Sequence, residues 1–139
     1  MTAKRPPPTA GLRHIALFVE RYEETLAFYQ NLMGMALEWQ PDADNSYLCS
    51  GNDNLALHRY QGPARDPATQ RLDHIGFIID TMDGVDEWFA FLKTEGVKTL
   101  SEPRTHRDGA RSFYCLDPDG NTVQIIYHPP ISGQQFTRP

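Results

Sequence analysis

Cysteine is scarce in this chain, and so are long apolar runs and clustered positive charge. Cys49 and Cys115 are the only cysteines, far apart and outside any C-x-x-C pairing, so neither a disulfide framework nor a zinc knuckle is available. No apolar stretch approaches the length of a membrane span, and prolines at 6–8 stand where a signal peptide would carry its apolar segment. The expected location is therefore the cytoplasm, with no membrane partner. Thirteen Lys and Arg stand against eighteen Asp and Glu, a net charge of −5 spread without a basic block, so a nucleic-acid partner is not expected either. What remains is a chain of 139 residues, 40% hydrophobic, which is one domain's worth with enough apolar matter for a core.

The chain also repeats itself. "LRHIALFVE" at 12–20 returns as "LDHIGFIID" at 72–80. After the first copy, Tyr22, Leu26, Tyr29 and Met33 recur at helical spacing and Gly34 stands where a helix would stop. After the second, Val85, Trp88, Phe89 and Leu92 share a helical face, with Asp83 as expected N-cap and Gly96 as stop. Each helix is followed by three runs of strand character: 35–40, 46–50 and 54–60, then 97–101, 111–116 and 121–127. "SYLC" at 46–49 answers "SFYC" at 112–115, which places Cys49 and Cys115 at equivalent strand positions as buried small residues. The turn at 51–54 answers "DPDGN" at 117–121. The unit is strand, helix and three strands, used twice: a first module at 12–60, a polar Pro-containing linker at 61–71 and a second module at 72–128, between tails at 1–11 and 129–139.

Strand parity assigns faces. In the first strand Ile15, Leu17 and Val19 share the side that packs on the helix, and His14, Ala16 and Phe18 share the other. In the second copy Ile75, Phe77 and Ile79 oppose His74 and Gly76. Two curved sheets facing one another would bring both histidines to a shared cleft. Exposed edges in each short module further predict a homodimer.

Two modules opening on this histidine strand, and the terminal "FY-x-x-DPDGN" hairpin, resemble the vicinal oxygen chelate superfamily, which includes glyoxalase, methylmalonyl-CoA epimerase, extradiol dioxygenase and the fosfomycin- and bleomycin-resistance proteins. The resemblance covers about residues 12–128 and implies an α+β fold of two βαβββ modules forming a cupped, barrel-like mixed sheet. It also implies a divalent metal ion (Fe, Mn, Ni or Zn) that a small-molecule substrate binds through two neighbouring oxygens. Carried over by position, the metal ligands are His14, His74 and Gln124; the corresponding place in the first module is Ala56, which coordinates nothing. This donor set is neutral where a two-histidine, one-carboxylate triad is charged.

Tyr114 resembles the tyrosine that donates a proton and anchors substrate in extradiol dioxygenases. His58, on the strand face of Ala56, and His106 and Arg111, from the segment before the Tyr114 strand, are the expected substrate contacts. Three function classes follow: a metal-assisted lyase, isomerase or epimerase, which is the leading reading; an Fe(II) ring-cleaving dioxygenase, weakened by Gln124; and a metal-free binding protein of the drug-sequestering kind. The leading reading lacks an obvious base, because neither Ala56 nor Gln124 accepts a proton at neutral pH.

Overall fold

The computed structural model describes residues 5–134, which build two four-stranded mixed sheets with few helices. In the first, β1 (His14–Val19) pairs in parallel with β4 (Asn54–Arg59), β4 pairs antiparallel with β3 (Asn45–Cys49), and β2 (Ala36–Asp42) forms the outer edge. In the second, β5 (Ile75–Ile78) pairs in parallel with β8 (Thr122–Tyr127), followed by antiparallel β7 (Arg111–Leu116) and the two-residue β6 (Arg104–Thr105). The sheets are cupped rather than closed into a barrel, since each keeps free edges.

The expected helices are present with altered ends. The α-helical part of the first, α1 (Tyr22–Ala27), continues as a π-helical turn over Phe28–Leu32, in which the Met33 N–H reaches the Phe28 carbonyl at 3.0 Å. The chain then turns at Gly34, whose φ of +75° suits a residue without a Cβ. Helix α2 (Met82–Thr94) is capped by Thr81 and not by Asp83: the Thr81 hydroxyl accepts the Gly84 N–H at 3.0 Å from extended backbone, while Asp83 already lies in the first turn. There its charge favours the positive helix end.

The strand expected at 97–101 is reduced to one bridge, Thr99 to Cys115. The Ser101 hydroxyl takes the Tyr114 N–H at 3.0 Å, which interrupts the ladder, and Pro103 offers no donor to resume it before β6. The end of the chain is less free than the sequence suggests: the Ser132 hydroxyl donates to the Ile79 carbonyl at 2.8 Å, and the Gly133 N–H to Asp80 Oδ1 at 3.1 Å. The remainder of the tails, 1–4 and 135–139, lies outside the described residues.

Strand parity holds. Leu17 and Val19 are buried against α1 with Tyr22, Phe28 and Tyr29, whereas His14, Ala16 and Phe18 are exposed on the opposite face. Phe113, Val123 and Ile125 are buried with Val85 and Leu92 of α2, and one continuous core joins both sets. Each such apolar side chain contributes about 1.5–3 kcal/mol when fully buried.

The two halves lock through the end of the β7–β8 turn. Asp119 Oδ1 accepts the N–H groups of Glu20 and Arg21 at 2.8 and 2.7 Å, the Tyr29 hydroxyl donates to Asp117 Oδ2 at 2.7 Å, and Tyr29 stacks on Phe77 with ring centroids 6.0 Å apart. Two clefts open beside the edge strands, one at β1 and the other at β5. Residues 15–18 line one of about 320 Å³ with Leu72 and Asn121; residues 10–13 line another of about 570 Å³ with residues 76–78. Along the chain, His14 falls between the segments 10–13 and 15–18, and His74 between Leu72 and Gly76, each flanked by residues that line the two clefts.

Candidate functional site

Register places the side chains of the two inner faces. On the first sheet His14 opposes Asn54, Ala16 opposes Ala56 and Phe18 opposes His58, while β3 sets Tyr47 beside Ala56 and Asn45 beside His58. On the second, Gly76 and Tyr114 flank Gln124. Ala56 and Gln124 are thus equivalent, and so are Tyr47 and Tyr114. The match of "SYLC" to "SFYC" is off by one residue: Ser46 faces the helix side and bonds the Tyr22 hydroxyl, whereas Ser112 faces inward and bonds Gln124. Cys115 is aligned with Val123 on the helix side, and Cys49 lies on the other face, although both are buried. A slip of one position reverses every face in a strand. Desolvation pushes the Cys115 thiol up to about 12, which leaves it inert at neutral pH.

Three histidines are held in the same way. His14 Nδ1 lies 2.7 Å from Asn54 Oδ1, and the Asn54 amide nitrogen donates to Glu38 Oε2 at 2.9 Å. His58 Nδ1 lies 2.6 Å from Asn45 Oδ1, and the Asn45 amide nitrogen donates to both Asp42 oxygens at 2.8 and 3.1 Å. In each pair the carboxylate fixes the amide orientation, since the reverse would set carbonyl against carboxylate. The Asn oxygen must then accept, the His Nδ1 must carry the hydrogen, and Nε2 keeps the lone pair. Asp42 stays ionised in this role, because the Asp44 N–H and the Asn45 amide hold it below the ordinary carboxylate range. His74 reaches the same state directly, with Nδ1 2.6 Å from Asp73 Oδ2. The two Asn–carboxylate pairs are absent from the reading of the sequence; only strand register reveals them, the parallel β1–β4 pairing setting Asn54 beside His14 and the β3–β4 hairpin setting Asn45 beside His58.

Gln124 spends its amide nitrogen on the Ser112 and Tyr114 hydroxyls, both at 3.1 Å, which leaves Oε1 as its uncommitted end. A Cβ at Gly76 would stand 3.8 Å from that oxygen, so the glycine keeps the space beside it open. Tyr114 meets His74 edge to face at 5.3 Å, and His106 Nε2 lies 3.2 Å from the Ser112 hydroxyl. The second inner face is therefore one polar chain from His74 to His106. The first is lined by rings: Trp39 stacks on Tyr47 at 5.2 Å, and His58 sits 5.9 Å from both Tyr47 and Phe18.

Arg111 does not join this surface. It shares parity with Phe113 and Cys115, turns to the helix side and forms a bidentate pair with Asp86 at 2.9 and 2.7 Å, which holds the Asp86 carboxyl below its ordinary range. Its expected place at the mouth of the cup is corrected by that pairing. Among the described residues no group of three or more His, Cys, Asp or Glu gathers as a metal cage. Nε2 of His14 and of His74 and Oε1 of Gln124 are donor atoms of the kind a divalent ion takes. Their donor chemistry fits a borderline ion, and the partner on each Nδ1 matches the outer-shell support that metal-bound histidines carry.

The chain belongs to the Glyoxalase/Bleomycin resistance protein/Dioxygenase superfamily, whose family model matches residues 11–125. It is 28% identical over 116 residues to metallothiol transferase FosB of Staphylococcus epidermidis, covering 83% of this chain and 80% of that protein. It is 27% identical over 116 residues to the FosB of Staphylococcus haemolyticus, covering 83% and 81%. Its fold is similar to that of lactoylglutathione lyase from Agrobacterium tumefaciens, with a TM-score of 0.73 at 21% identity over 91% of this chain and 98% of that one. A glyoxalase/bleomycin resistance protein/dioxygenase from Alicyclobacillus acidocaldarius gives a TM-score of 0.66 at 20% identity, covering 86% and 92%. No helix among the described residues is long and apolar enough to cross a membrane.

Proposed function

We propose that this protein is a divalent-metal-dependent enzyme of lyase, isomerase or epimerase type, acting on a small substrate through two neighbouring oxygens. The observation that carries the reading is the shared state of the repeated histidines: His14 and His74, from different sheets, both commit Nδ1 to an oxygen acceptor and keep Nε2 for coordination. Gln124 Oε1 is the third donor. A divalent ion held there supplies Lewis-acid polarisation of a substrate carbonyl. The chain's own groups do the rest. Tyr114 accepts a hydrogen bond from Gln124, so its own O–H is free to donate to a substrate oxygen. His106 and Ser112 extend the polar wall, and Trp39, Tyr47 and Phe18 offer aromatic rings on the other inner face. Association into a homodimer belongs to the same proposal, supported by β2, whose seven residues are all exposed.

A second reading, metal-free binding of a flat ligand as in drug sequestration, is favoured by Ala56, which has no exposed surface and no donor, and by the ring-lined face beside it. Calorimetric titration with Mn(II) and Ni(II) separates the two. Wild type should bind one ion per chain, His14→Ala and His74→Ala should lose it with the fold retained by circular dichroism, and Gln124→Glu should bind more tightly because it adds a charge. Full occupancy in either folded histidine variant would sink the metal reading.

A further inference from the structure

We infer that His58 is the general base of this site, with Asn45 and Asp42 as its positioning residues. The inference rests on the reading above, that the substrate is a carbonyl compound bound through neighbouring oxygens. Such chemistry requires a group that removes a proton from carbon, and the family's ligand positions offer none: Ala56 has no functional group and Gln124 is an amide.

His58 meets the requirement on three counts. It lies on the inner face, on the strand of Ala56 and about 7 Å further along it. Its ring stands between Phe18 and Tyr47, with centroids 5.9 Å from each, so its flanks are apolar while the residue itself is only partly buried. The Asn45 amide, anchored by two hydrogen bonds to Asp42, forces the hydrogen onto Nδ1 and the lone pair onto Nε2. A histidine that only filled space would need no carboxylate behind its asparagine. The titratable groups that face it are Asp42 behind Asn45 and Tyr47 on β3; β1 contributes Phe18, which carries no charge.

The step balances within the site. The C–H bond beside the bound carbonyl breaks, its electron pair becomes the carbon–carbon double bond of an enediolate as the carbonyl π pair moves onto the carbonyl oxygen, and the proton moves to Nε2. The imidazolium, stabilised through Asn45 by Asp42, returns that proton to the neighbouring carbon while the hydroxyl proton passes to the former carbonyl oxygen, so isomerisation of a hydroxycarbonyl substrate needs no co-reactant.

Two measurements test this. In metal-free protein, long-range 1H–15N correlation NMR should show His58 with hydrogen on Nδ1 and a bare Nε2, and Asn45→Ala should abolish that preference. Hydrogen on Nε2 in the wild type overturns the assignment. In Mn(II)-loaded protein, deuterium exchange into dihydroxyacetone, a hydroxyketone with neighbouring oxygens, should fall by about 100-fold or more in His58→Gln and by about 10-fold in Asn45→Ala, with Mn(II) affinity unchanged in both. Loaded wild type that exchanges nothing, or His58→Gln that exchanges as fast as wild type, removes His58 from the mechanism and leaves the metal reading standing. A wild type that binds no metal overturns both.

Discussion

The two inner faces start from the same pattern and end as different surfaces. Tyr47 and Tyr114 occupy equivalent positions, one beside Ala56 and the other beside Gln124. Where the neighbour is an amide, the tyrosine hydroxyl accepts from it and the face becomes a hydrogen-bonded chain running through Ser112 to His106. Where the neighbour is alanine, the ring stacks on Trp39 and packs against His58, and the face around it is lined by rings. One methyl group in place of one amide redirects three aromatic residues, because a phenol ring without a polar partner gains most by covering another ring. A substrate held between such walls would be bound on one side by hydrogen bonds and on the other by flat contact.

The hairpin ends differ in the same sense. In the first half Asp53 serves its own turn, accepting the Ser50 N–H at 2.6 Å. In the second, Asp117 is buried, accepts N–H groups from Asp119 and Asn121, and receives the Tyr29 hydroxyl from the other half. The largest effect expected from breaking this contrast comes from Tyr29→Phe, which leaves a buried carboxylate short of a donor and should cost about 1–3 kcal/mol in urea unfolding at pH 7.

The pH dependence of that cost has a definite sign. Burial raises the Asp117 carboxyl above the ordinary Asp value, and the hydrogen bonds from Tyr29 and Asn121 work against it. A carboxyl with a raised folded value contributes stability that is present below the unfolded value, about 3.9, and lost as pH rises through the folded one. Removing the Tyr29 donor raises it further, so the penalty of Tyr29→Phe should be larger at pH 7 than at pH 3, where the group is protonated in both states. Equal penalties at the two pH values would mean that Asp117 is not charged in this contact.

A smaller effect should come from making the second face resemble the first. Gln124→Leu takes the donor from Ser112 and Tyr114 and should cost about 1 kcal/mol of unfolding free energy, read from the urea midpoint. The smallest belongs to Arg111→Met: its pair with Asp86 lies outside the cup, partly in solvent, and its loss should cost under about 1 kcal/mol and leave Mn(II) affinity as in the wild type. A change in metal affinity there would return Arg111 to the site.

Much of the fold was legible because its signals are local. The alternation in "HIALFV" shows which face packs, and repetition of the phrase shows that a second sheet presents its histidine in the same way. The positions taken for Gln124, three residues after Asn121, and Ala56, just after Leu55, lie at equivalent register points of the two sheets, beside Gly76 and Ala16. The errors arose where one residue of register decides the outcome. Pairing "SYLC" with "SFYC" by letters put Cys49 and Cys115 on one face, and Arg111 was assigned to the cup although its parity with Phe113 turns it to α2. The strand lost at 97–101 reads apolar in places, but a serine hydroxyl took the place of a ladder partner.

By itself, then, the amino-acid order determined two strand–helix–three-strand units, the apolar face of each sheet and a histidine at the head of each, because these depend on spacings of two to four residues along one segment. Only the tertiary structure decided what each histidine does. The tautomers of His14 and His58 depend on Asn54 and Asn45, each reached across a strand pair and oriented in turn by a carboxylate, and the union of the two halves depends on Asp117 and Asp119, which take hydrogen bonds from Tyr29, Glu20 and Arg21. Those partners stand from 13 to 99 residues apart, and only closure of the folded chain brings them within hydrogen-bonding distance.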